Sequence, residues 1–278
     1  MTRLSLRLTT AWFLVCTAWA LAAADPTRYE SDHFVLATDI SARNAERILD
    51  ALESMRAEHL AELGLDPQAI PKLLLSIFRS RAGFNGFARR YNPRIVGYRG
   101  VTTPRGVVVF FGRSRGECIA ALMHELTHMY FRAAGKRPAL WLNEGLACYF
   151  GGVRRTVGGR TVFGVPNTNR LNAVSLAVRT NKHIPLKKLM TIGKKDFYLE
   201  RSEDGKGLRR QSLVYGQAAT LVLFLKRCKA EGVAGKFTRF LAEVYRTGDT
   251  KAAFESIYGT DYARLEKQWQ SYVLGLAR

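Results

Sequence analysis

The chain has 278 residues, 47% of them hydrophobic, and carries a formal charge of +20. Its length admits one large domain or two small ones, and its composition is that of a globular protein with a real core, not of a low-complexity chain. The positive balance favours adsorption to anionic polymers or membrane surfaces and identifies none of them.

The first element is a leader. Arg3 and Arg7 precede an apolar run from Ala11 to Ala24, and Ala22-Ala23-Ala24 is a small-residue cleavage pattern before Asp25. Residues 1–24 read as a secretory signal peptide, which implies a periplasmic or secreted protein with 25–278 as its mature chain. The run is too short for a comfortable membrane span, and no later segment is apolar enough for one. Val15 before Cys16 is a poor match to a lipoprotein signal, and the lack of adjacent arginines favours the general export route. Losing the leader removes Arg3, Arg7 and no acid, which lowers the formal charge from +20 to +18. Cys118, Cys148 and Cys228 then remain, an odd number that leaves at least one without an intramolecular partner. Two readings stand: a Cys118–Cys148 disulfide between packed helices, or three thiols acting as small hydrophobes.

The mature chain opens with a strand-like run, His33 to Thr38. Ser41 starts a long amphipathic helix with Ala45, Ile48, Leu49, Leu52 and Met55 on one face, ending near Gly64. Lys72 to Phe78 reads as a second strand, with a short helix around Phe84 to Tyr91. Arg89, Arg90, Arg94, Arg99, Arg105, Arg113 and Arg115 are interleaved with Phe87, Tyr91 and Tyr98. The run fits a nucleic-acid platform or a solvated face beside core aromatics. Motif-free basic composition favours the second, so no specific nucleic-acid binding is expected. Val107, Val108, Val109, Phe110 and Phe111 form the strongest strand signal, bounded by Gly106 and Gly112.

The chain is organised around the segment just after that strand. Gly116 to Gly135 contains His124-Glu125-Leu126-Thr127-His128, an HExxH motif. Ser114 and Glu117 make a capping-box pattern, Ile119, Leu122, Met123, Leu126, Met129 and Tyr130 repeat at helical spacing, and Gly135 and Pro138 supply stop signals. On a helix, positions four apart lie on one face with Cβ atoms roughly 5–6 Å apart. Two imidazoles at that spacing both reach one Zn²⁺ at about 2.0–2.1 Å. A third ligand is expected downstream, and Trp141-Leu142-Asn143-Glu144-Gly145-Leu146-Ala147-Cys148-Tyr149-Phe150 offers one. Glu144 interrupts an apolar segment, where a carboxylate is costly to bury unless paired or bound to a metal.

HELTH followed by WLNEGLACYF resembles the gluzincin metallopeptidases, especially the peptidase MA-like group and the thermolysin-like aminopeptidases. The resemblance implies a zinc ion held by His124, His128 and Glu144, with Glu125 as general base toward a metal-bound water. It also implies that the strand Val107 to Phe111 pairs with extended substrate through its main chain. Tyr215, in Tyr215-Gly216-Gln217-Ala218-Ala219 ahead of the apolar run Leu221 to Leu225, matches a Tyr-x-x-Ala pattern of the aminopeptidases and would stabilise the oxyanion. A tyrosine packed at a helix start is the other reading. Two departures stand out. No Gly-Ala-Met-Glu-Asn stretch precedes the metal helix, and Thr103-Pro104-Arg105-Gly106 lies in its place, so the anchor for a free amine is missing. Cys148 stands where thermolysin has an acid that orients a zinc histidine, so another group must take that role.

Downstream, Gly151 to Gly164 alternates like a hairpin with Gly158-Gly159 as its turn. Asn169 to Arg179, Tyr215 to Cys228, Phe237 to Tyr245 and Tyr262 to Leu276 read as helices, and Lys194 to Arg210 as a charged loop. His33, His59 and His183 are isolated and receive no role. The expected architecture is α+β and zincin-like: a strand-rich half over about 25–115, with a small mixed sheet, and a helical half over about 116–278. The expected function is an exported zinc endopeptidase acting on peptides or proteins. The competing readings are a non-catalytic zincin-like module that binds an anionic envelope polymer, and a zinc amidase acting on cell-wall peptide.

Overall fold

Residues 26–155, 161–198 and 206–277 are described in a computed structural model of the protein. The expected signal peptide and the Gly158-Gly159 turn lie outside them. The described chain forms two compact units, residues 26–56 with 71–129 and residues 57–70 with 130–277. The architecture is α+β, as the sequence predicts.

The first unit is built on a five-stranded sheet. Its strands are β1 (Thr27–Glu30), β2 (Phe34–Thr38), β3 (Leu73–Phe78), β4 (Gly100–Thr103) and β5 (Gly106–Phe110), in the order β1-β2-β3-β5-β4. The inner pairs β2–β3 and β3–β5 are parallel, and the outer pairs β1–β2 and β4–β5 antiparallel. Parallel neighbours need long crossovers. Helix α1 (Ala42–Leu63) joins β2 to β3, and α2 (Arg81–Tyr91) lies between β3 and the β4–β5 hairpin. The predicted face of α1 is the buried one, with Ala45, Ile48, Leu49, Leu52 and Met55 all at most 5% exposed. Ser80 caps α2 by accepting the Gly83 N–H at 3.1 Å. Phe84, Phe87 and Ala88 of α2 then pack on Val108 and Phe110 of β5.

That packing explains why β5 is apolar throughout. A strand alternates its side chains between faces, so Val108 and Phe110 point one way and Val107 and Val109 the other. All four are buried because both faces are covered. Both edges of β5 are also taken, by β3 on one side and β4 on the other, and the Phe111 amide donates to the Phe78 carbonyl at 2.9 Å. The expectation that Val107, Val108, Val109, Phe110 and Phe111 pair with substrate is therefore corrected. β4 is the terminal strand on that side among the described residues.

Helix α3 (Arg115–Ala133) comes directly after β5. Ser114 Oγ accepts the Glu117 N–H at 3.2 Å, one half of the expected capping box. The other half is diverted: the Glu117 carboxylate accepts from Arg99 Nη2 at 2.7 Å and from the Arg113 backbone and side chain. Those bonds, Arg99 first, hold its carboxyl down at about 2. At the far end the Lys136 amide donates to the Phe131 carbonyl and the Gly135 amide to the Arg132 carbonyl, closing the helix through the left-handed Gly135.

The second unit is helical. Its helices are α4 (Leu140–Gly151), α5 (Thr168–Arg179), the short α6 (Leu186–Leu189) and α7 (Lys194–Phe197), α8 (Lys206–Arg227), α9 (Phe237–Thr247), α10 (Thr250–Tyr258) and α11 (Tyr262–Leu276). Between α4 and α5, β6 (Arg154–Arg155) and β7 (Thr161–Val162) pair antiparallel, as the alternation predicts. α8 is the central helix, and α4, α5, α7 and α11 pack on it. Val214, Ala218, Leu221, Val222, Leu223, Phe224 and Leu225 are buried on nearly every side of it, the mark of a helix enclosed by others. Gly145 permits its close approach to α4, because a Cβ there would sit 2.7 Å from the Ala218 carbonyl oxygen. One further correction applies. The expected loop at Lys194 to Arg210 contains α7 and the first turn of α8, which places Tyr215 inside a helix and not near its start. Cys118, Cys148 and Cys228 are free thiols, and burial pushes that of Cys118 up to about 12.

Candidate metal centre

His124, Glu125 and His128 lie on α3, ahead of the stop at Gly135 that the sequence itself encodes. The spacing of four stacks the two imidazoles: their Nε2 atoms are 3.3 Å apart and their rings meet at 86°. Both are half-buried. Glu144 lies on α4 and is only 4% exposed, in a helix whose Leu142, Leu146 and Phe150 are fully buried. One ligand atom from each of His124, His128 and Glu144 lies within 4.8 Å of the others, so the three form a group that could hold a metal ion.

The donor set fits such an ion. Bonds of about 2.0–2.1 Å at a tetrahedral centre place neighbouring donors about 3.3 Å apart, the separation of the two Nε2 atoms. Two imidazoles and one carboxylate suit zinc and its first-row neighbours, and three protein ligands leave room for a fourth partner.

Around the helix axis Glu125 is turned by about 100° from His124 and by about 60° from His128. It is 8% exposed, and it faces β4. Thr102 Oγ1 lies 2.9 Å from Glu125 Oε2 and 2.9 Å from the Glu125 carbonyl oxygen. Glu144 is held by a side chain. The Tyr198 hydroxyl, at the end of α7, donates to Glu144 Oε1 at 2.6 Å, in the range of a strong bond to an ionised acceptor.

Cys148 is not idle either. Its sulfur accepts from Arg170 Nη1 at 2.9 Å, and the same guanidinium stands over the Tyr215 ring, 5.0 Å from its centre. The sulfur first, then Tyr215 and Glu144, hold the Arg170 pKa above its ordinary value against the opposing effect of burial. Tyr215 is largely buried between this cation and the aromatic pair Phe197 and Tyr198, whose ring centres are 5.1 and 6.5 Å away. Gln217, two residues on, clamps the Ile184 backbone through both ends of its amide.

Thr102, Tyr198 and Arg170 escape a reading of the sequence. Thr102 becomes visible only once Thr103 to Gly106 is recognised as a hairpin turn, which sets Gly100 and Thr102 opposite Val109 and Val107. The clue to Tyr198 is the Phe197-Tyr198 pair inside an otherwise charged stretch. Arg170 has no such signal.

The remaining histidines lie elsewhere. His33 Nδ1 pairs with Glu53 at 2.7 Å, and His183 Nε2 with Glu266 at 3.0 Å. His59 is wholly buried and stacks on Phe150 at 3.8 Å, and burial drives its pKa down to about 3. Compared with the models of known protein families and with curated proteins, the chain matches none.

Proposed function

We propose that the protein is an exported zinc metallopeptidase that cleaves peptide bonds within a chain. One observation carries the reading: two imidazoles of α3 and a buried carboxylate of α4 offer ligand atoms within 4.8 Å of one another, and α3 also bears a buried glutamate between the two histidines. His124, His128 and Glu144 would hold the zinc. Bound there, zinc acts as a Lewis acid that acidifies water and polarises a carbonyl. Glu125 takes the proton from the attacking water and returns it to the leaving amine. Tyr215 supplies a phenol donor for the oxyanion, since its ring packs beside Tyr198, whose own hydroxyl is engaged by Glu144.

Extended substrate lies along β4, whose Thr102 touches Glu125. Endopeptidase action is favoured by the turn at the end of β4. The Thr103 hydroxyl donates to the Gly106 carbonyl and accepts from the Arg105 amide, closing a tight turn. No acidic residue occurs between Asp66 and Glu117, so this segment supplies no carboxylate to anchor a free amine.

The test is hydrolysis of an N-terminally blocked peptide by the zinc-loaded protein. Blocked and free peptides should be cleaved at similar rates. Glu125→Gln should keep its zinc and lose roughly 10²–10⁴-fold in kcat, the usual weight of a general base. An unchanged rate in that variant, or activity confined to free N-termini, would overturn the reading.

A further inference from the structure

We propose that Thr102 is the positioning residue for Glu125, fixing one carboxylate oxygen against β4 so that the other takes the proton. The inference rests on the reading of Glu125 as general base.

The geometry comes from the sheet. In the β4–β5 pair, Gly100 stands opposite Val109 and Thr102 opposite Val107. Opposed residues share a face, and Val107 and Val109 lie on the face away from the α2 cluster of Phe84, Phe87 and Ala88. Gly100 and Thr102 therefore point toward Glu125. Gly100 leaves the space: a Cβ there would stand 2.7 Å from Val109 Cγ1 and 3.0 Å from Glu125 Cγ. A side chain there would crowd Val109 first and press on the glutamate stem as well. Thr102, two residues on, meets the carboxylate end at 2.9 Å. One residue makes room for the stem, and the other fixes its tip.

The hydroxyl carries one proton and has two acceptors within reach, Glu125 Oε2 and the Glu125 carbonyl. Its contact with Oε2, at 2.9 Å, is the one that holds the carboxylate end against β4. That bond restrains the torsion of the carboxylate. When Glu125 accepts the water's proton on Oε1, Oε2 still accepts from Thr102, so the holder does not change during the step. A threonine that merely tied β4 to the α3 backbone would use the carbonyl alone and leave the carboxylate where it is.

The experiment compares Thr102→Val, Thr102→Ala and Thr102→Ser in the full zinc-loaded chain, by kinetics and by crystallography. The two variants without a hydroxyl should lose about 10–100-fold in kcat, the scale of a catalytic group displaced by about 1 Å, at unchanged KM and zinc content. Thr102→Ser should return to within about threefold of the parent. Crystal structures should show the Glu125 carboxylate displaced in the valine and alanine variants and in place in the serine variant. Parental kcat in Thr102→Val, or an undisplaced carboxylate, would overturn the proposal. If the parent cleaves no peptide, the peptidase reading fails by itself, and the carboxylate position in Thr102→Val still decides the role of Thr102.

Discussion

Glu125 and Glu144 are both buried carboxylates, yet the two units hold them by different means. In the sheet-bearing unit, Glu125 lies against a strand whose register fixes both of its neighbours, Gly100 for space and Thr102 for the hydrogen bond. In the helical unit, Glu144 is held by the hydroxyl of Tyr198, which hangs from the end of a four-residue helix. A strand locked into a sheet on one edge offers a rigid platform. A single turn of helix has almost no stability of its own and depends on the packing of Phe197, which is fully buried, and on the aromatic contact with Tyr215. Glu125 is thus set by backbone register, and Glu144 by one side chain.

Tyr198→Phe sharpens that contrast most. It removes only the hydroxyl and leaves the ring to pack, so folding should survive. Loss of a partner that orients a metal ligand typically costs about 10–100-fold in affinity, and the zinc dissociation constant, measured against a competing chelator, should rise by that factor. At saturating zinc the rate should stay near parental. Thr102→Val should show the reverse, with zinc affinity unchanged and kcat reduced. The contrast breaks if both variants lose metal, or if neither does.

A smaller effect separates the units by acid sensitivity. His59, in the helical unit, is wholly buried, and its pKa falls from 6.5 to about 3 on folding. The unfolded chain binds a proton below about pH 6.5 that the folded chain refuses, so the unfolded state binds more protons and stability falls with falling pH. The contribution is fully present above pH 6.5 and is lost at about 1.4 kcal/mol per pH unit toward pH 3. His59→Phe keeps an aromatic ring against Phe150 and removes the titration. Urea unfolding at about pH 6.5 and pH 5 should show a shallower pH dependence in the variant than in the parent. Equal slopes would mean that His59 is protonated in the fold.

Much of the fold is legible from residues alone, for physical reasons. The core face of α1, the apolar run of β5 and the turn-spaced histidines of α3 are strong periodic signals. Ser114 and Gly135 mark the ends of α3 with side-chain and left-handed caps. The hidden parts depend on pairing. β4 has four residues, two of them half-exposed, and becomes a strand only by joining β5. Without it, β5 looks like an edge. α8 starts well before its apolar run, because Lys206 to Arg210 carry charges that resemble a loop. Tyr198 falls in the same charged stretch, and the partner of Glu144 is hidden with it. α10 also escapes the periodic pattern, although Asp249 caps it by accepting from the Lys251 and Ala252 amides.

The central claim is that His124, His128 and Glu144 form one metal site, and metal content tests it most directly. The purified protein, dialysed against trace zinc and measured by elemental analysis, should carry about one zinc per chain, and His124→Ala and His128→Ala should each abolish stoichiometric binding, because two ligands rarely hold zinc tightly. Full zinc retention in both alanine variants, or a parent that binds none, would contradict it.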